Sequence, residues 1–314
     1  MDDKKKRIVI LAGPTAVGKS ETSLILAEHI NGQIVSADSM QVYRHMDIGS
    51  AKLPADMRRG ITHHMIDVLE PDEDFNVSVF KNMAKSCIDK IHAEGSIPIV
   101  CGGTGFYIRA LIYDIDFSEG EVDTEVRKYF ENLAEDKGIA YMEELLRKED
   151  PKYADLSHGN LKRIIRALEY NKLTGEKMSD KNEAERAKEP AYDAVYYVLY
   201  MPREKLYARI EKRVDQMMDD GFLSEVKALK EMGVSRDMTS MQGLGYRQLY
   251  DHLDGKYDLD TAIDEIKKQT RHFAKRQITW FKREKEVTWI DVTEFNKAGE
   301  IAEWINTDIT KRWE

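Results

Sequence analysis

Gly13-Pro14-Thr15-Ala16-Val17-Gly18-Lys19-Ser20 fits the spacing G-x-x-x-x-G-K-[ST]. Glycines at those points let the backbone N–H groups turn into one nest, and a helix starting after them adds positive charge at its N-terminus. Lys19 would neutralise phosphate charge, and the Ser20 hydroxyl would hold Mg²⁺. A chance match on a strand–helix turn is the plain alternative. The flanking pattern argues against it. Asp38 is the second candidate. It could be a cap or a ligand to metal-bound water, or a general base facing the phosphates. Its position alone does not separate these roles. Thr104 could cap a helix or donate to phosphate or substrate. Arg209 and Arg213, four apart, share one helical face. They are either solvated charges or a guanidinium clamp for a diphosphate.

These residues need strand ends to hold them. Arg7–Ala12 reads as a buried strand, and 21–30 as a helix with Leu24, Ile25, Ala27 and Ile30 inward. Residues 33–37 form a second strand ending at Asp38. Ligands of open parallel sheets collect beyond the carboxyl ends of strands, so Asp38 is expected near the phosphate loop. A short strand at 65–69 is closed by Pro71. Residues 76–94 make a helix with Val79, Phe80, Met83, Ala84, Cys87, Ile88 and Ile91 on one face. A buried strand at 97–101 then runs into Gly102-Gly103-Thr104-Gly105 and a helix at 106–113. An ATP hydrolase usually carries an acid at the end of such a strand. Its absence here weakens that reading, with Asp38 and Asp67 left as substitutes.

The character changes after Phe117. Residues 121–150 are charged and helical, and 160–174 form a helix burying Leu161, Ile164, Ile165 and Leu168. Ser179 to Pro190 reads as loose. A strand returns at 195–200. Helices at 203–219 and 222–232, a turn at 240–247, a long basic helix at 260–286 and a last strand at 287–292 complete the chain. The fold class expected is α/β. A phosphate-loop NTPase-like core (1–118 and 192–314), with a parallel sheet flanked by helices, is interrupted by an all-helical insertion (119–191).

Composition narrows the function. The 314 residues carry a net charge of −9, which disfavours a general nucleic-acid coat protein. Yet Lys267, Lys268, Arg271, Lys275, Arg276, Lys282, Arg283 and Lys285 face only Glu284 within 267–285. With Phe273, Trp280 and Phe281 among them, this stripe is either a solvated helix face or a grip on nucleic acid. No run approaches the roughly 20 apolar residues of a membrane span. The first apolar run is cut short by Gly13 and Pro14 and reads as a core strand rather than a signal peptide. Cys87 and Cys101 form no C-x-x-C pair, which points to a reducing cytoplasm, and no structural zinc is expected.

The motifs together resemble tRNA dimethylallyltransferases (tRNA isopentenyltransferases) of the bacterial type. They are the phosphate loop, Asp38-Ser39-Met40-Gln41-Val42-Tyr43, Met46 to Lys52, Gly102 to Tyr107, His158-Gly159-Asn160 with Arg163 and Arg166 to Glu169, Arg209 to Met217, Gly245-Tyr246-Arg247-Gln248 and Lys275 to Phe281. Gly243-Leu244 is a small departure, where a less glycine-rich turn is expected. The resemblance implies transfer of a dimethylallyl group from dimethylallyl diphosphate to N6 of the adenosine 3′-adjacent to the anticodon. It makes Asp38 the base, with Thr104 and Arg213 also catalytic and residues 13–20 holding the diphosphate, Ser20 with Mg²⁺. It implies tRNA contacts from Asp38, Ser39, Met40, Gln41, Thr104 and Arg127, and from Lys162, Arg163 and Arg166. Further contacts are implied for Gln242, Gly245, Tyr246 and Arg247, and for Lys275, Arg276, Gln277, Trp280 and Lys282. The core and the insertion would grip the anticodon stem-loop, with the adenosine flipped from its stack. A cytoplasmic monomer is expected. An adenylate isopentenyltransferase, a phosphate-loop small-molecule kinase and a non-catalytic RNA-binding module are the alternatives. The insertion and the basic stripe argue against the first.

Overall fold

The computed structural model describes residues 5–117 and 124–314. The chain divides into two compact units, Met1–Ile112 with Ala191–Glu314, and Tyr113–Pro190.

The larger unit is built on a six-stranded parallel sheet. Its strands are β1 (Arg7–Ala12), β2 (Gly32–Ala37), β3 (His63–His64), β4 (Ile97–Gly102), β5 (Asp193–Tyr200) and β6 (Val287–Asp291), in the order β3-β2-β4-β1-β5-β6. The central strand is apolar throughout because both its faces are covered. Ile8 to Ala12 are all fully buried. Val9 and Leu11 join the cluster containing Leu24, Ala27, Ile301 and Ile305, from helices α1 (Lys19–Ile30) and α12 (Ala298–Trp313). Ile8 and Ile10 therefore point to the other face. β1 lies between β4 and β5, pairing Val9 with both Ile99 and Val195. The chain leaves β1 in one direction for β2 and later fills the other side with β5. The crevice at this reversal opens beyond the carboxyl ends of β1 and β4.

The remaining helices of this unit are α2 (Val77–Ala93), α3 (Gly105–Ile112), α8 (Arg203–Asp219), α9 (Phe222–Glu231), α10 (Tyr246–Leu253) and α11 (Leu259–Phe281). The other unit comprises α4 (Thr124–Glu149), α5 (Pro151–Ser157), α6 (Leu161–Thr174) and α7 (Met178–Ala187). Its core is Phe130, Met142, Leu146, Ile164, Ile165 and Leu168. Buried Asp150 joins its parts, accepting from the Tyr153 and Ser179 N–H groups at 3.1 and 2.8 Å.

Four local expectations change. The edge strand falls at His63–His64 rather than 65–69, because Met65 and Asp67 take positive φ and only a single bridge joins Leu69 to Tyr43. Gly138 breaks α4 at φ 79°, ψ 168°, so the charged stretch is two helical runs. The stretch expected to be loose contains α7, whose second residue, Ser179, is the one held by Asp150. Beyond the expected last strand the chain adds helix α12, where Ile301, Ile305 and Ile309 repeat every four residues and are buried.

Candidate active site

The phosphate loop leaves β1 through Gly13, where a Cβ would stand 2.5 Å from the Leu199 carbonyl oxygen. Only glycine allows that approach. Gly18, in the left-handed region, ends the loop and starts α1. Lys19 Nζ donates to the Gly13 and Pro14 carbonyls at 2.9 and 2.8 Å, lying back over the loop. Burial pulls its pKa down to about 8, with Arg213 adding to the fall and Asp38 opposing it. The Cys101 thiol beneath is pushed up by burial and stays neutral. The Ser20 hydroxyl makes no hydrogen bond among the described residues, although the Ser20 carbonyl accepts from Ser23 Oγ at 2.8 Å.

Asp38 follows β2 directly. Its Oδ1 accepts the N–H of Met40 at 2.8 Å and, more weakly, that of Gln41 at 3.4 Å. Oδ2 makes no hydrogen bond among the described residues. The carboxylate therefore has one oxygen that fixes the turn and one left for chemistry. Gln41 is tied on both sides, accepting from Ser36 Oγ at 2.9 Å and donating to the Ser50 carbonyl at 3.3 Å. The following loop is anchored by two residues, Glu225 and Lys52. Glu225 on α9 accepts the N–H groups of Asp47, Ile48 and Gly49 at 2.8, 2.7 and 3.1 Å, and the Tyr246 hydroxyl at 2.7 Å. Lys52 bonds the Tyr43 carbonyl, and it pairs with Asp47 and Asp67 at 2.8 and 2.5 Å.

The second glycine turn follows β4. The Thr104 N–H bonds the Ala37 carbonyl at 3.3 Å, tying the ends of β2 and β4 together. Thr104 Oγ1 makes no hydrogen bond among the described residues. A Cβ on Gly103 would sit 2.2 Å from Gln277 Nε2, and one on Gly105 2.1 Å from Trp280 Cδ1. Helix α11 packs directly on this bare turn.

Lys19, Ser20, Asp38, Thr104 and Arg213 line one cavity of about 440 Å³. Its apolar wall includes Met40, Ile210, Val214, Met217, Phe222 and Phe273. A larger groove of about 840 Å³ shares Ser20 and Arg213 with this cavity and also takes in Arg209 and Lys212. Arg213 borders both spaces. Burial lowers its pKa, opposed by the Asp38 charge, and its guanidinium makes no ion pair or hydrogen bond among the described residues. Arg209 is exposed and borders the larger groove alone. The structure thus separates the two arginines that helical spacing left equivalent. A half-buried guanidinium with no partner among the described residues, beside a half-buried ammonium, is an anion site.

The donor set suits a hard cation shared with phosphate. Ser20 offers a free oxygen beside the nest, and no group of three or more His, Cys, Asp or Glu side chains is placed to hold a metal among the described residues. Mg²⁺ commonly takes few protein ligands and completes its shell with water and substrate phosphate.

The residues expected to meet RNA are placed differently from one another. Ser39, Met40, Gln41, Gln242, Arg247, Arg276 and Gln277 join the 440 Å³ cavity. Tyr246 is fully buried, and Gly245 has φ +90° with Phe222 2.4 Å from where its Cβ would be. Gly243 has no room for a Cβ either, since Met40 Sδ would lie 2.8 Å from it, which accounts for the glycine-rich turn. Lys275, Arg276, Trp280 and Arg283 line a shallow groove on α11, and Lys282 is exposed. In the helical unit Lys162 and Arg163 are exposed. Arg166 donates to buried Glu169 at 3.1 Å, and Arg127 approaches the same carboxylate at 4.0 Å. Sequence reasoning missed Glu225. A glutamate in the first turn of a helix is ordinary, and the three backbone N–H groups it accepts lie 176–178 residues away.

The family model described as "IPP transferase" matches residues 41–284, and the one described as "isopentenyl transferase" matches 6–66. A tRNA dimethylallyltransferase of Lachnoclostridium phytofermentans is 50% identical over 295 residues, 94% of each chain. The crystal structure of the full-length tRNA isopentenylpyrophosphate transferase of Bacillus halodurans aligns with a TM-score of 0.74 at 41% identity, covering 98% of both chains. A eukaryotic dimethylallyltransferase acting on tRNA aligns with a TM-score of 0.78 at 30% identity, covering 98% of this chain and 77% of its own. With a phosphate loop, an open carboxylate and a free arginine on one cavity, and with relatives matching along nearly its whole length, this chain belongs to the tRNA dimethylallyltransferase family.

Proposed function

We propose that the protein transfers the dimethylallyl group of dimethylallyl diphosphate to N6 of the adenosine 3′-adjacent to the anticodon of tRNA. The observation that carries this reading is the shared cavity. Two half-buried cations, Lys19 and Arg213, line it together with the carboxylate of Asp38 and the Thr104 hydroxyl. The diphosphate sits in the nest of residues 13–20. The allylic C–O bond breaks and its electron pair leaves with the diphosphate, whose growing charge Lys19 and Arg213 stabilise. The N6 lone pair forms the new C–N bond. Asp38 Oδ2 takes the N6 proton, while Oδ1 keeps the turn in place. Thr104 positions the amine. Ser20 would hold Mg²⁺, which would supply further charge neutralisation on the diphosphate. The adenosine reaches the cavity by leaving its stack. The tRNA is gripped by the exposed cations of α11 and, from the helical unit, by Lys162 and Arg163. No helix among the described residues is long and apolar enough to cross a membrane. We take the working form to be a cytoplasmic monomer.

The test is transfer of labelled dimethylallyl to anticodon stem-loops with and without the target adenosine, with free AMP as a separate acceptor. Label only on the stem-loop with that adenosine supports the proposal. Label on AMP alone would move the protein to nucleotide prenylation, and ATP turnover with no prenyl transfer would make it a kinase.

Lys19 gives a pH dependence. In the empty site it loses its proton near 8 rather than at 10.5. The charged form is the one that binds diphosphate. kcat/KM for the donor is therefore expected to fall as pH rises through about 8. Bound diphosphate favours the ammonium, so proton uptake on donor binding is expected above that pH. Calorimetry in buffers of different ionisation enthalpy measures it. A kcat/KM profile flat well above pH 8 would contradict this role.

A further inference from the structure

Gln277 lies in the last third of α11 with its side chain buried. Its Oε1 accepts the Thr15 N–H at 2.9 Å, and its Nε2 donates to the Gly103 carbonyl at 3.0 Å. One amide thus joins the phosphate loop after β1 to the glycine turn after β4. The chemistry asks for a carboxamide. A carboxylate would serve Thr15 alone and set negative charge beside the diphosphate, and a lysine would serve Gly103 alone. The fit is close because Gly103 and Gly105 offer no side chains against Gln277 and Trp280. The helix cannot shift at this point without moving the loop or breaking both bonds.

The same helix carries the exposed cations. Towards its N-terminus Lys267, Lys268 and Arg271 are paired with Asp215, Glu265 and Glu211. Lys275, Arg276 and Lys282, within five residues of Gln277, are exposed and make no ion pair among the described residues. The cations free for a polyanion therefore cluster about the residue that holds the loop.

We propose that Gln277 is a positioning residue rather than an RNA contact: its amide sets the phosphate loop from α11, so that RNA docking on this helix and diphosphate binding at Lys19 are coupled. The coupling rests on the tRNA reading above, while the setting of the loop does not. By linkage the effect runs equally in both directions.

The experiment uses the full chain and inorganic diphosphate with Mg²⁺, titrated calorimetrically with and without an anticodon stem-loop. In the parent protein the stem-loop is expected to tighten diphosphate binding by about fivefold or more. Gln277→Met, equal in length and without hydrogen bonds, is expected to weaken diphosphate alone by about tenfold. It should leave stem-loop affinity within about twofold and bring the coupling close to one. Gln277→Glu keeps the Thr15 bond and is the second variant should Gln277→Met fail to fold. It too is expected to weaken diphosphate. Diphosphate affinity unchanged in the folded variant overturns the proposal. So does coupling that persists without the amide, or a loss confined to stem-loop affinity. A parent protein that binds no stem-loop, yet loses diphosphate affinity on Gln277→Met, would sink the tRNA reading and the coupling and leave the bridge standing.

Discussion

Asp38→Asn is expected to lower kcat for prenyl transfer by roughly 10²–10⁴, with affinity for both substrates kept within a few-fold. The two oxygens of this carboxylate do different work. Oδ1 receives the Met40 N–H at 2.8 Å and builds the turn after β2. An asparagine carbonyl accepts that bond equally well, because Asn and Asp form the same side-chain turn. The fold of the 38–41 segment should survive. What asparagine lacks is a basic oxygen at Oδ2. The N6 amine of adenine is a weak nucleophile and must shed a proton as the C–N bond forms, so the loss falls on kcat. Asp38→Ala removes both functions. It should match asparagine in kcat and add a loss of stem-loop affinity and thermal stability, since the turn is then unbonded. Single-turnover transfer rates, stem-loop binding and a melting curve on the two variants separate base from cap. If Asp38→Asn retained parental kcat, the carboxylate would be a structural cap and the proton would go elsewhere.

Sequence alone placed both glycine turns and Asp38 on one side of a parallel sheet, because those features are local. A glycine loop between a strand and a helix has one geometry, and the residue after a buried strand lies at its carboxyl end. Beyond that range the reading weakened. Glu225 holds the loop through partners that only tertiary folding brings to it. Gln277 was assigned with its basic neighbours, but a helix has more than one face, and its side chain points inward where Lys275 and Arg276 point outward. Tyr246 was grouped with an RNA-facing turn, and its hydroxyl is bonded to Glu225 inside the protein. Helix α12 carries a four-residue period in Ile301, Ile305 and Ile309 that is legible in the sequence. The edge strand moved because the positive φ of Met65 and Asp67 cannot be inferred from an apolar run.

Arg213→Ala is expected to reduce kcat by about 10²–10³ and to weaken donor binding, whereas Arg209→Ala should cost less than about fivefold. The two lie one helical turn apart, and their environments set the difference. Arg213 borders both the catalytic cavity and the larger groove, is held partly out of water, and has no partner among the described residues. Arg209 is exposed, so water already screens any charge it offers. Arg213→Lys should recover part of the loss, because an ammonium supplies charge without the bidentate fork. Stability should move the other way. A guanidinium held partly out of water without a counterion is a cost to the empty protein, offset only when an anion arrives. The thermal midpoint of Arg213→Ala is therefore expected to equal or exceed the parent's without ligand, and to gain less from added diphosphate. A variant that loses activity and melts well below the parent would instead mark Arg213 as structural. The empty site would then not be strained in favour of its ligand, and leaving-group stabilisation would have to come from Lys19 and the metal alone.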